Sequence, residues 1–183
     1  MSDIALPTPE ELRRRLEDLR RTRGFLLPHH GAMAAALPDL HEAYFVMYRA
    51  LTLGRRHLDD FEKEFVWMAI LVAVEEAIGT HHLDLFLKSG GTRPMAEAIA
   101  RLVGYAAAAR NLSFMSGHWG RHLPGLDAER AYGEGIEALA AGLPVDPGLV
   151  DLALAATNAA VRREEGLRFH IRAAYRRGVP EPK

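Results

Sequence analysis

The sequence predicts an all-α protein. Apolar residues recur at spacings of three and four along most of the chain, the period of a helix face. Helix start and stop signals bracket segments of helical length. No stretch alternates as a strand would, and Val and Ile residues sit in alanine-rich helical context.

The elements follow in order. Thr8 is an N-cap, Pro9 fits the first turn, and Glu10 and Glu11 suit the positive end of the helix dipole. That helix runs to about Thr22 and stops at Gly24, with a mostly solvated face. "LLPHHGAMAAALPDL" reads as a loop and short helix, its His29 and His30 facing solvent or an interface. Pro38 opens the next helix and Gly54 lies just past its end. Leu40, Ala43, Tyr44, Met47 and Leu51 form its apolar stripe, and Tyr44, Phe45, Met47 and Tyr48 are candidate core or pocket lining. "LDDFEKEFVWMAILVAVEEAIGTHHLDLFLKSGG" starts at an Asp cap and ends at two glycines. It predicts a central, buried helix interrupted near Gly79. "RPMAEAIARLVGYAAAARNL" is a further helix with Pro94 near its start, and "SFMSGHWGRHLPGLD" is a loop. "AERAYGEGIEALAAG" is a short, glycine-weakened helix, and 145–179 close the chain as helices.

Composition narrows the function classes. The 183 residues suit one domain with a sizeable core, at 49% hydrophobic and 26% charged. Lys+Arg 23 against Asp+Glu 24 gives no electrostatic case for nucleic acid or an anionic membrane. The absence of cysteine excludes disulfides, thiolate metal sites and any thiol nucleophile. The N-terminal stretch is charged, unlike a signal peptide, and the longest apolar run, "FVWMAILVAV", is about half a membrane span. A cytoplasmic protein is expected. Ala- and Arg-rich usage points to a GC-rich bacterial genome.

The chain also repeats itself. Leu58, Asp59 and Glu64 match Val145, Asp146 and Asp151 at an offset of 87, and Glu76, His82 and Gly90 match Glu164, His170 and Gly178 at 88. One residue of slip between Glu64 and Glu76 accounts for the change. The first repeat spans about 38–110 and the second about 125–183, within a single all-helical domain 1–183. A competing register pairs "EEAIGTH" with "EEGLRFH", putting His81 in place of His82. The downstream glycine favours His82. On an unbroken helix, residues six apart sit about 120° apart, so Glu76 and His82 would not share a face. A break at Gly79, and at Gly166 in the second half, would let acid and imidazole meet.

These residues carry a resemblance. "PDLHEAYFVMYRALTLGRRHLDDFEKEFVWMAILVAVEE…HHLDLFLKSGG" and "VDPGLVDLALAATNAAVRREEGLRFHIRAAYRRGV" resemble the carboxymuconolactone decarboxylase and alkylhydroperoxidase D-like superfamily. The resemblance implies an all-helical fold of two internally related halves, with homo-oligomers common. It implies a closing helix beyond Gly178. The family's peroxidase branch places a Cys-x-x-Cys seven and four residues before the histidine. Here those positions are Glu75 and Ile78, then Arg163 and Gly166. Thiol peroxidase chemistry is therefore excluded. The decarboxylase branch works by acid–base chemistry on a lactone. What carries over is His82, His170, Glu76, Glu164 and the helix-start acids Glu64 and Asp151.

The residues set the expected site. A buried imidazole beside a carboxylate serves as acid or base near neutral pH, or as a structural lock between helices. The expected catalytic set is His82 as acid or base, Glu76 as its partner and Glu64 as an orienting group. His170 and Glu164 form a second site or a degenerate scaffold. No cofactor or resident metal is expected. Two Glu and two His remain a conceivable metal set, although helical di-metal sites favour Glu-x-x-His. His118 and His122 are loop residues over a pocket, and the Arg-rich 162–177 is a salt-bridged surface helix, with Arg163 or Arg172 available to a carboxylate. Three functions are consistent with this: cofactor-free acid–base chemistry on a small carboxylated or lactone-type substrate, a non-catalytic oligomeric scaffold or ligand binder, and a metal-dependent oxidoreductase. The apolar face of Leu152, Ala155, Ala156 and Ala159 predicts a homo-oligomer, a dimer or trimer.

Overall fold

The computed structural model describes residues 6–183, and among them every regular element is helical. The helices are α1 Pro9–Arg23, α2 Pro28–Ala36, α3 Pro38–Tyr48, α4 Asp60–Ala73, α5 Thr80–Lys88, α6 Arg93–Tyr105, α7 Ala108–Trp119, α8 Ala128–Ala140, α9 Pro147–Ala160 and α10 Glu164–Arg176. A π-helical turn, Arg49–Leu53, extends α3. No described helix is long and apolar enough to cross a membrane. The first five residues of the N-terminal stretch read as unlike a signal peptide lie outside the described part. Contacts divide the chain into two compact units, Met1–Arg56 and His57–Lys183. The repeat boundary read at Pro38 thus falls inside the first unit, because α3 packs on α2 and runs on into the π turn.

In the first unit, Thr8 and Glu11 form a reciprocal capping box on α1, and Gly24 ends it at φ 79°, where a Cβ is disfavoured. His30 is fully buried, contrary to its expected place at the surface. Its ring packs among Tyr44, Phe45 and His41 of α3. The inward face of α3 is therefore His41, Tyr44 and Phe45. Leu40, Ala43, Met47 and Leu51, expected as a core stripe, are exposed. The contact with α2 sets which face of α3 turns inward, and only Leu51 lies in the π turn, where the 3.6-residue period no longer holds.

The second unit is built on two helical hairpins. Asp59 caps α4 and Asp146 caps α9. Helix α4 packs on α9, α5 and α6, while α9 packs on α10; α8 joins α7 and α6. Phe65, Phe86, Ile99, Leu102, Tyr132, Leu149 and Leu154 form its core. Each such side chain contributes about 1.5–3 kcal/mol by leaving water. The most enclosed helix is α9 rather than the expected α4, which buries only Glu64, Phe65 and Ala69 completely. The stretch expected as a loop, from Ser113, is helical as far as Trp119, and the preceding helix breaks at Ala106 and Ala107.

Both hairpins turn in the same way. Val74 and Val161 end α4 and α9 with matching dihedrals. Glu75 (φ 54°) and Arg162 (φ 56°) follow in the left-handed region. Glu76 and Arg163 then donate backbone N–H bonds five residues back, to Leu71 and Asn158. The slip of one residue consequently lies after Glu76, not before it. In backbone terms Glu76 stands opposite Arg163, and the sequence match of Glu76 with Glu164 does not hold. Gly79 precedes α5 as expected of a break. Gly166 lies inside α10 and serves close packing: a Cβ there would meet Asn158 Oδ1 at 2.3 Å.

This contact generates a prediction. Gly166→Ala forces the buried Asn158 side chain off its 2.7 Å bond to Leu154 O. It is expected to cost about 1–3 kcal/mol of stability by urea titration. Unchanged stability would show that α9 and α10 can separate at no cost.

Candidate functional site

Two carboxylate–imidazole pairs lie inside the second unit. Glu64 sits on the inner face of α4, one turn past its cap, and His82 opens α5. His82 Nδ1 lies 2.7 Å from Glu64 Oε2, and both residues are buried. Asp151 holds the corresponding place on α9. His170, on α10, has Nδ1 2.8 Å from Asp151 Oδ1. In each pair the carboxylate takes the Nδ1–H and so fixes the tautomer with the lone pair on Nε2.

What meets Nε2 separates the pairs. His170 Nε2 is 2.8 Å from the hydroxyl of Tyr132, which donates to it. Burial, reinforced by the neighbouring Tyr105 and Asp151, pushes the Tyr132 phenol well above its ordinary range, so it remains a donor. Arg177 Nε donates to the second oxygen of Asp151 at 2.8 Å, and its NH2 reaches Glu137 at 3.4 Å. In the chain Arg177–Asp151–His170–Tyr132, both oxygens of Asp151 and both ring nitrogens of His170 are thus hydrogen-bonded. His170 is completely enclosed and has no nitrogen to spare.

His82 differs. Among the described residues nothing hydrogen-bonds its Nε2, and that atom is not one of the fully enclosed polar atoms lacking a partner. The indole of Trp67 stacks on the ring at 4.9 Å and 19°, and His81 packs beside it at 4.2 Å. Lys63 Nζ lies 3.5 Å from the other oxygen of Glu64. The result is an oriented imidazole with one nitrogen engaged and the other without a hydrogen-bond partner among the described residues.

Of the sequence-derived residues, Glu64 meets His82 directly and is its partner. Glu76 does not: it is exposed, and its carboxylate accepts from the backbone of Ile78 at 2.8 Å. Glu164 is also exposed and pairs with Arg168. Helix α5 begins only at Thr80, so Glu76 belongs to the turn and faces water. No group of three or more His, Asp or Glu among the described residues is arranged to hold a metal ion. His118 and His122 are exposed, His118 on α7 and His122 in the turn after it. Arg163 and Arg172 reach neither pair, and Arg172 bonds Glu129. The sequence reading missed Tyr132, Trp67 and Arg177. Asp151 had been visible only as a helix-start acid five residues past a cap.

No protein-family model matches the chain, and no curated protein matches it. Among solved structures, it is similar to a protein from Burkholderia xenovorans assigned by inference as a gamma-carboxymuconolactone decarboxylase subunit. The TM-score is 0.63 at 19% identity, over 97% of this chain and 87% of that one. The chain therefore shares the all-α fold of that protein. At that identity the likeness is one of fold.

Tyr132→Phe removes the donor that meets His170 Nε2 among the described residues. Leaving that buried nitrogen unmatched is expected to cost about 1–3 kcal/mol by chemical denaturation. A neutral result would mean that water replaces the hydroxyl without loss.

Proposed function

We propose that the protein is a cofactor-free acid–base enzyme of the carboxymuconolactone decarboxylase type, acting on a small carboxylated or lactone-type substrate. The observation that carries this reading is the unbonded Nε2 of His82, on a ring whose Nδ1 is held by buried Glu64. Glu64 orients the imidazole and keeps its tautomer. Trp67 covers one face of the ring and limits its rotation.

The chemistry follows from that geometry. In a lactone whose carboxylate sits on the saturated ring carbon γ to the carbonyl across a C=C bond, the bond to the carboxylate breaks and carbon dioxide leaves. The bonding pair passes into the lactone enolate. His82, as the imidazolium whose charge Glu64 offsets, delivers its Nε2 proton to carbon and returns to the neutral tautomer held by Glu64, and solvent then returns a proton to Nε2. His170 takes no part, because Tyr132 occupies its Nε2. The second hairpin acts as a brace.

The runner-up is an oligomeric scaffold or small-ligand binder. The saturated second pair favours it, since a histidine between Asp151 and Tyr132 is a structural lock. A metal-dependent oxidoreductase has less support, with Glu76 and Glu164 both turned to solvent. The similar Burkholderia xenovorans protein is described as a subunit. Val74, Ile78, Leu83 and Leu87 are exposed around α5. We read these as a contact between copies of the chain, in a dimer or trimer.

Two experiments test these proposals. A panel of small carboxylated lactones, gamma-carboxymuconolactone included, is offered to the protein with carbon dioxide release as the readout. His82→Gln is expected to lower turnover about a hundredfold or more, Glu64→Gln to lower it less, and Glu76→Gln to leave it unchanged. Full turnover in His82→Gln removes the proposed mechanism, and no turnover of any lactone by the native chain favours the scaffold. For assembly, light scattering is expected to give a multiple of the chain mass. A single-chain mass that persists on concentration rules the oligomer out.

A further inference from the structure

A guanidinium in the first unit is charged, enclosed and unmatched. Arg23, at the end of α1, has Nε and one terminal nitrogen buried without a hydrogen-bond partner. Among the described residues no carboxylate pairs with it. Its contact with His30 Nε2 at 3.4 Å does not help. The backbone N–H of Leu27 donates to His30 Nδ1, so a neutral His30 carries its proton on Nε2 and has no lone pair there for Arg23. What holds the guanidinium is aromatic: it lies 4.7 Å from the Phe25 ring centre, 4.9 Å from Phe45 and 4.5 Å from Tyr48. These rings fix its position and supply no counter-charge. A buried charge in that condition is costly unless something pairs with it.

Arg23 lines a cavity of about 830 Å³ between α1, α3 and the π turn, within the size range of small-molecule sites. Two more cations, Arg15 and Arg49, share its wall. Arg49 is the first residue of the π turn. The acids on the wall are Asp18, already bonded to Arg21 at 2.9 Å, and Glu42, which is exposed. His41 lines the same cavity and is nine-tenths enclosed, with Nε2 lacking any partner. Burial, aided by the charge of Arg15, holds its imidazole below the usual histidine range, so it is a neutral group able to donate. Apart from Thr22, whose hydroxyl is bonded to the backbone of Asp18, the rest of the wall is apolar, with Leu19, Phe45 and Val46. Val46 is 73% exposed and gains cover only if something fills the space.

We propose that this cavity binds a small monocarboxylic acid with an apolar body. The carboxylate meets Arg23, with His41 and Arg49 beside it, and the body lies on Leu19, Phe45 and Val46. The charge selects an anion, and the lining selects one with a hydrocarbon tail over an inorganic ion.

Calorimetric titration of the full chain at low salt tests this, with sodium octanoate, octan-1-ol and sodium acetate as probes. Octanoate is expected to bind saturably, with octanol and acetate each weaker by about tenfold or more. Arg23→Gln is expected to weaken octanoate by a similar factor and leave octanol unchanged, with circular dichroism reporting an intact fold. Should Arg23→Gln not fold, Arg49→Gln is the second variant, on an exposed side chain, with weaker octanoate binding expected. Equal binding of octanoate and octanol overturns the proposal, as does native affinity in folded Arg23→Gln or in Arg49→Gln. So does an absence of octanoate binding up to millimolar concentration. Absent octanoate binding with a lower assembly mass in Arg23→Gln assigns the groove to a second copy of the chain.

Discussion

The second unit depends on one constraint: a carboxylate taken out of water must be met. Placing an ionised acid in a protein interior costs about several kcal/mol even after relaxation. Glu64 and Asp151 both sit on helix faces among Phe65, Leu149 and Leu154. Each is answered by an imidazole from the next helix of its hairpin. The pairings fix how α5 lies on α4 and how α10 lies on α9. The glycine at position 166 allows the close approach that α10 needs, and the left-handed residues Glu75 and Arg162 start each return.

The same pairing leads to opposite outcomes at the other ring nitrogen. Tyr132, brought in from α8, completes the environment of His170, and Arg177 completes that of Asp151. Nothing described completes that of His82. A fully matched network rigidifies, whereas an oriented group with a vacant nitrogen retains chemical capacity. One hairpin is in this sense finished and the other unfinished. A chemical role is sensibly sought in the unfinished one.

The fold was readable because helix signals are local. Thr8, Asp59 and Asp146 cap where their sequence context says they should, and the all-α class needs no long-range information. The acid–imidazole pairing was only half readable. His82 and His170 stood out, but Glu76 lay nearer in sequence than Glu64 and drew the partner's role to itself. A bond across eighteen residues is a tertiary fact, set by the hairpin turn. Tyr132 lies 38 residues from its histidine and left no local trace. The α3 stripe failed for a different reason: contact with α2 sets its inward face, which takes in His41 and leaves the apolar Leu40 and Met47 exposed. His30 gave no sign of burial, because a histidine after a proline reads as loop.

The place of the slip between the hairpins has a consequence for how such a unit can vary. The acid and the imidazole are 18 residues apart in one hairpin and 19 in the other. The shorter separation carries glutamate and the longer one aspartate. One extra backbone residue in the connection thus accompanies one fewer methylene in the side chain, and the bond lengths agree within 0.1 Å. Connection length and acid length act as a coupled pair of adjustments. A lineage could gain or lose a residue in the turn and remain functional, provided the acid on the preceding helix changed in step.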